Sequence, residues 1–145
     1  MIAWVGRGLA WTTAVATAAC VSTTDSSGQP PVALTGAWDY AAIQTTPTPA
    51  TLSGTLTVAS QAGHAFQGSI DVMEVDSASG VFHFTGPVSG EALDSTTLDF
   101  DVFLTATARR HVGTVAHDSM SGSWVEQGGM VTKAGSFRAA RRAAS

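Results

Sequence analysis

From Gly36 onward, apolar side chains recur at every second position through one segment after another. This period of two restricts the chain to strands with one buried face, because residues i and i+2 of a strand point to the same side. The alternation predicts eight strands, at 36–44, 51–59, 65–75, 80–88, 96–104, 107–117, 120–127 and 131–140. Turn-forming residues separate most of them: Pro47 and Pro49, Gln61 to Gly63, Asp76 to Gly80, Gly90 to Ser95, Asp118 and Ser119, and Gly128 and Gly129.

Inside these segments a short pattern repeats, in which a glycine is followed by a small residue and then an apolar one. It occurs as Gly36-Ala37-Trp38, Gly54-Thr55-Leu56, Gly68-Ser69-Ile70, Gly113-Thr114-Val115, Gly122-Ser123-Trp124 and Gly135-Ser136-Phe137. Glycine weakens a flat strand, so its recurrence implies sharp bends and close backbone approach, as the curvature of a small closed barrel requires. Closure also removes the exposed edges an open eight-stranded sheet would carry. The expected fold is therefore all-β, an eight-stranded antiparallel up-and-down barrel.

In register with the repeat, one face collects Trp38, Tyr40, Leu56, Val58, Phe66, Ile70, Val72, Phe82, Phe84, Leu98, Phe100, Val102, Val115, Trp124 and Phe137. The other collects Thr55, Thr57, Ser69, Asp71, His83, Thr85, Asp99, Asp101, Thr114, Ser123 and Arg138. The first face is expected to turn inward as the core. A membrane-spanning barrel would reverse this, with the aromatic face on lipid; the aromatics at mid-strand and the basic stretch Arg138 to Arg142 argue against it.

The start of the chain has a different character. Arg7 precedes an apolar run from Leu9 and then the small residues Thr17-Ala18-Ala19, the order of a secretion signal, and the run is too short to span a bilayer. Residues 1–19 are read as this signal, 20–34 as a flexible polar tether, 35–142 as the barrel domain and 143–145 as a tail. Arg7 lies in the leader, so the remainder carries six basic against 11 acidic residues. That balance gives no electrostatic footprint for nucleic acid.

Thr17-Ala18-Ala19-Cys20 resembles the lipobox of bacterial lipoproteins, with Thr17 where that family has an aliphatic residue. The resemblance implies acylation of Cys20 and anchoring in the cell envelope, and Val21, in place of Asp, points to the outer membrane. Cleavage at Ala16-Thr17-Ala18 would instead release a soluble secreted protein. Cys20 is the only cysteine, so an internal disulfide is excluded and stability must come from the core.

The sequence supplies no convergent acid, base and nucleophile, so an enzyme is not expected. Among the histidines, His111 and His117 share a strand face but stand roughly 20 Å apart, too far for one metal. All four, His64, His83, His111 and His117, are read as surface or rim residues, and Asp99 and Asp101 as water-facing carboxylates. No cofactor or metal is implied.

Gly36-Ala37-Trp38 opening the first of eight meandering strands resembles the calycins, the lipocalin and avidin type of ligand-holding barrel. In lipocalins a basic residue near the end of the last strand packs over that tryptophan, which implies Arg138 or Arg141 here. Avidin-like biotin binding is not implied, because Tyr40 stands where that family has Asn. The resemblance implies a small apolar ligand, with Trp38, Tyr40, Phe84, Trp124 and Phe137 as candidate contacts, inside a largely filled interior, and the Pro-rich stretch 45–50 beside a mouth. An exported, non-catalytic, monomeric binding or structural protein is the leading expectation. The alternative is a protein inhibitor of secreted proteases acting through residues 21–34, which would lack the disulfide common in that family.

Overall fold

The computed structural model describes residues 31–143, so the leader, Cys20, most of the tether and Ala144 and Ser145 lie outside the described residues. Eight antiparallel strands follow one another: β1 (Gly36–Thr46), β2 (Ala50–Ala62), β3 (Ala65–Asp76), β4 (Gly80–Ala92), β5 (Thr97–Val102), β6 (Arg109–Ala116), β7 (Ser119–Glu126) and β8 (Lys133–Arg141). Each pairs with the next, and β8 returns to β1 to close the barrel.

Closure rests on the glycines of the repeat. Gly54 lies opposite Tyr40 and Val72, two buried residues, so it occupies an inward position. A Cβ there would fall 2.0 Å from the Asp71 carbonyl oxygen; at Gly135 it would fall 1.9 Å from that of Ile43. The neighbouring strand is curled into the space a side chain would take, which is how a sheet this narrow turns its corners.

The aromatic face is the inner one. Trp38, Phe100, Leu98, Ile70, Val72, Val102, Val115 and Trp124 are fully buried, and the rest of the predicted face is buried with two exceptions on β4. Phe82 is 42% exposed and Phe84 is only partly buried. Both face inward by register, opposite Glu74 and Val72, so they mark an end where the core stops before the strand does.

The two ends of the barrel differ. At the end where β1 begins, Leu34 is fully buried; its N–H donates to Gln61 Oε1 at 2.8 Å and its carbonyl accepts from Trp38 Nε1 at 2.9 Å. Leu34 therefore belongs to the core, although it stands in the stretch read as tether. Arg141 lies over the Trp38 ring, 4.3 Å from its centroid, and donates to the carbonyls of Ala33 and Thr35 at 2.6 and 2.8 Å. Of the two basic residues the sequence offered for this contact, it is Arg141; Arg138 points outward and is exposed. The opposite end, where β1 ends, is the one that leaves Phe82 open.

Candidate functional site

Polar side chains concentrate in the inner half nearest that open end. Register places Val102, Arg109, Glu126 and Lys133 side by side on β5 to β8, and Ala42, Leu52, Glu74 and Phe82 on β1 to β4. Arg109 is buried and joins the two rows: its Nε donates to Glu126 at 2.5 Å and its Nη2 to Glu74 at 3.3 Å. Thr107 Oγ1 donates to the other Glu126 oxygen at 3.0 Å. The guanidinium also lies 4.9 Å from the Trp124 ring centroid, a cation–π contact in a water-poor setting. A charge this deep persists only because two carboxylates and a ring face satisfy it.

One layer further in, Phe100, His111 and Trp124 lie opposite one another on β5, β6 and β7. His111 is fully buried and stacked on Phe100, with centroids 4.7 Å apart. Its Nδ1 lies 2.9 Å from the Arg109 carbonyl, which can only accept, so Nδ1 carries the hydrogen. Its Nε2 then accepts from the Tyr40 hydroxyl at 2.8 Å. Burial above all lowers the His111 pKa to about 4, and burial raises the Tyr40 phenol above its ordinary range, so both stay neutral.

This corrects the reading of His111 as a rim or surface histidine. The signal was present: His111 has the parity of Val115, four residues on, and Val115 was assigned to the core. A polar residue type at a core parity was read as rim, and Glu74, Arg109, Glu126 and Gln44, all buried, were assigned to neither face. The other histidines are exposed, with His83 bonded to Asp71 at 2.7 Å. Asp99 is held by Arg110, whose bidentate contact lowers its pKa. Among the described residues no group of His, Cys, Asp and Glu is arranged to hold a metal ion.

The structure brings together some of the predicted contact residues and separates others. Tyr40 and Phe137 stack at 6.2 Å and both touch the His111 ring, as does Trp124 at 6.4 Å. Phe84 stands with Phe82 at the open end, 6.3 Å between centroids. Trp38 is sealed at the opposite end beneath Arg141.

Two buried atoms have no partner among the described residues: the acceptor Gln44 Oε1 and the donor Trp124 Nε1. They belong to residues on either side of Gly135, in one row across β7, β8 and β1. The Gln44 amide nitrogen donates to the Thr48 carbonyl at 2.9 Å, tying it to the β1–β2 connection at the open end.

No family model matches the chain, and no curated protein does. Among solved structures it is similar to EF1p2_mFAP2b bound to DFHBI, with a TM-score of 0.61 and 14% identity over 75% of this chain and 94% of that one. It is also similar to a de novo designed fluorescence-activating β-barrel, with a TM-score of 0.50 and 16% identity over the same shares, 75% and 94%. The fold is that of a calycin-like small β-barrel. At these identities the likeness is one of architecture. The S-type phycobiliprotein lyase CPES from Guillardia theta aligns with a TM-score of 0.48 and 11% identity, over 77% of this chain and 89% of that one.

Proposed function

We propose that the chain is a non-catalytic binding protein of the cell envelope, exported by its N-terminal leader and anchored through an acylated Cys20, that takes a small apolar ligand at the open end of the barrel. The observation that carries this reading is Phe82: an inward-facing ring 42% exposed, beside the half-buried Phe84, above a cluster of buried apolar side chains. Water on an aromatic wall is unfavourable, and an apolar ligand there removes it. The ligand-bound state of EF1p2_mFAP2b, a barrel of the same architecture, supports the same use of the fold.

The floor of this mouth adds a requirement. Gln44 Oε1 and Trp124 Nε1 each forgo a hydrogen bond, at a cost of about 1–3 kcal/mol per group. An uncharged ligand carrying a hydroxyl or amide group beside its apolar body would offer both a partner after small side-chain shifts. Binding of an environment-sensitive apolar dye to the purified protein tests the reading. Phe84→Ala is expected to weaken binding about tenfold and Trp38→Phe, at the sealed end, to leave it unchanged. Equal effects of both, or no binding by the wild type, would overturn the site. Separately, the mass of the mature protein from its own host distinguishes an acylated Cys20 from a plain cleaved end.

A further inference from the structure

Strand β4 is longer than the partner on one of its sides. Its pairing with β3 runs from Gly80 to Glu91, whereas β5 takes up only Val88 to Ala92. One more bond, from Phe103 N–H to the Pro87 carbonyl at 3.1 Å, extends that contact before the chain departs toward Arg109. Among the described residues, 80–85 therefore have ladder partners on the β3 side alone. Their exposure agrees: Val81, Phe82, His83 and Thr85 are exposed irrespective of parity, which a strand paired on both sides of a closed barrel does not show.

The direction of the free groups follows from Pro87. Its carbonyl faces β5, and in an antiparallel strand the N–H and C=O of one residue point the same way, alternating along the chain. No register shift interrupts β4 between Gly80 and Pro87. Val81, His83 and Thr85 thus present their N–H and C=O groups outward from the edge, a pattern that an added strand satisfies. Two of the usual protections are missing from the segment itself, since neither proline nor a formally charged residue lies between Gly80 and Gly86.

The sequence of the edge indicates which strand. Val81-Phe82-His83-Phe84-Thr85 is nearly symmetric about His83. If a second copy is laid antiparallel on a twofold axis at His83, the hydrogen-bonded pairs are His83 with His83, and Val81 with Thr85 twice. Those are the residues whose backbone groups face the edge. The intervening pairs are Phe82 with Phe84, twice, at the closer non-hydrogen-bonded spacing that favours aromatic contact. Such an interface is self-complementary, as a twofold dimer requires. On the outer face, the exposed Val75 and Met73 lie beside Val81 and His83 and widen the apolar surface available to the partner.

We propose that the free half of β4 pairs antiparallel with the same segment of a second copy of this chain, giving a twofold homodimer whose sheet continues through His83. This replaces the monomer that the sequence alone suggests, and it does not depend on the ligand reading.

The test uses the full chain carrying Cys20→Ser, followed by sedimentation over a range of concentrations and by cross-linking under mild oxidation. A concentration-dependent rise to the mass of two chains is expected. His83→Cys should cross-link, because residue 83 meets its own copy at a Cα separation of about 5.5 Å, within disulfide range. Thr85→Cys alone should not, and Val81→Cys with Thr85→Cys should. Val81→Lys should weaken association at least about tenfold while far-ultraviolet dichroism stays that of the folded barrel, which keeps the test decisive if a cysteine variant fails to fold. A single-chain mass at every concentration would overturn the proposal. Cross-linking equally at all positions would overturn it too, since the copies would then be meeting by random collision, and so would capture of an extended peptide by a chain that stays monomeric.

Discussion

His111 is a base stacked on Phe100 with both ring nitrogens committed, so the fold holds it only in its neutral form. Its pKa of about 4 in the folded chain lies below the ordinary histidine value near 6.5, so the unfolded chain binds the proton first as pH falls. The stabilisation from neutral His111 is complete above about pH 6.5 and is lost progressively as pH falls toward 4. The loss is on the order of 3 kcal/mol. Urea unfolding followed between pH 7 and 4 should show this decline, and the paired variant Tyr40→Phe with His111→Phe should flatten it by removing the titrating group and the hydroxyl bonded to it. A decline of the same size in the paired variant would assign it to carboxylates instead. Residues of this kind were the least legible in the sequence. Periodicity gives the side on which a side chain lies, but composition rules assign polar types to the surface, and at Arg109, His111 and Glu126 the two disagree. Their burial depends on partners from β1, β3 and β7, which only the closed barrel brings together.

At the level of the strand, glycine separates bending from mere flexibility. Gly54→Ala would place a methyl group 2.0 Å from the Asp71 carbonyl oxygen, and that oxygen belongs to a strand paired along its whole length. Overpacking against backbone allows no cheap retreat, so a loss of at least about 3 kcal/mol is expected in equilibrium unfolding. Gly63→Ala is the control: it sits in the β2–β3 turn at φ +60 with nothing within 4 Å of the added carbon. It should cost only the roughly 1 kcal/mol of a left-handed residue. Equal costs would mean that closure does not depend on backbone approach. The eight strands and the inward face were legible from the alternation and from the glycine repeat. The ends of β5 and β6 were not, because Phe103 and Leu104 continue the apolar character of β5 after its pairing with β6 has ended at Val102. Gly90 hid the length of β4 in the same way: it read as a breaker, yet it is a corner within the strand whose Cβ would meet Phe100.

Across the whole molecule, closing the sheet leaves two openings that the chain treats differently. β1 must pair with β8 for the barrel to exist, and the row that begins this seam is Trp38 with Arg141. The same arginine gathers the incoming chain, donating to the Ala33 and Thr35 carbonyls while its side chain bonds Asp118 in the β6–β7 turn at 2.9 Å. One side chain therefore ties together the entry segment, the first strand, the last strand and a hairpin turn, and beneath it Leu34 seals the core. Among the described residues the opposite opening has no such cover, and the exposed rings of β4 lie there. Arg141→Ala should remove the cation–π contact and the charge-assisted bonds together, a loss of about 3 kcal/mol in urea unfolding. Arg141→Lys should recover only part of it, because an ammonium group cannot bond two carbonyls in a fixed plane while lying flat on a ring. The discriminating measurement is where the damage appears. Amide exchange should quicken in residues 31–38 and at the β1–β8 seam, while apolar-dye binding at the far end stays as in the wild type; loss of dye binding in proportion to stability would show that the two ends are not independent.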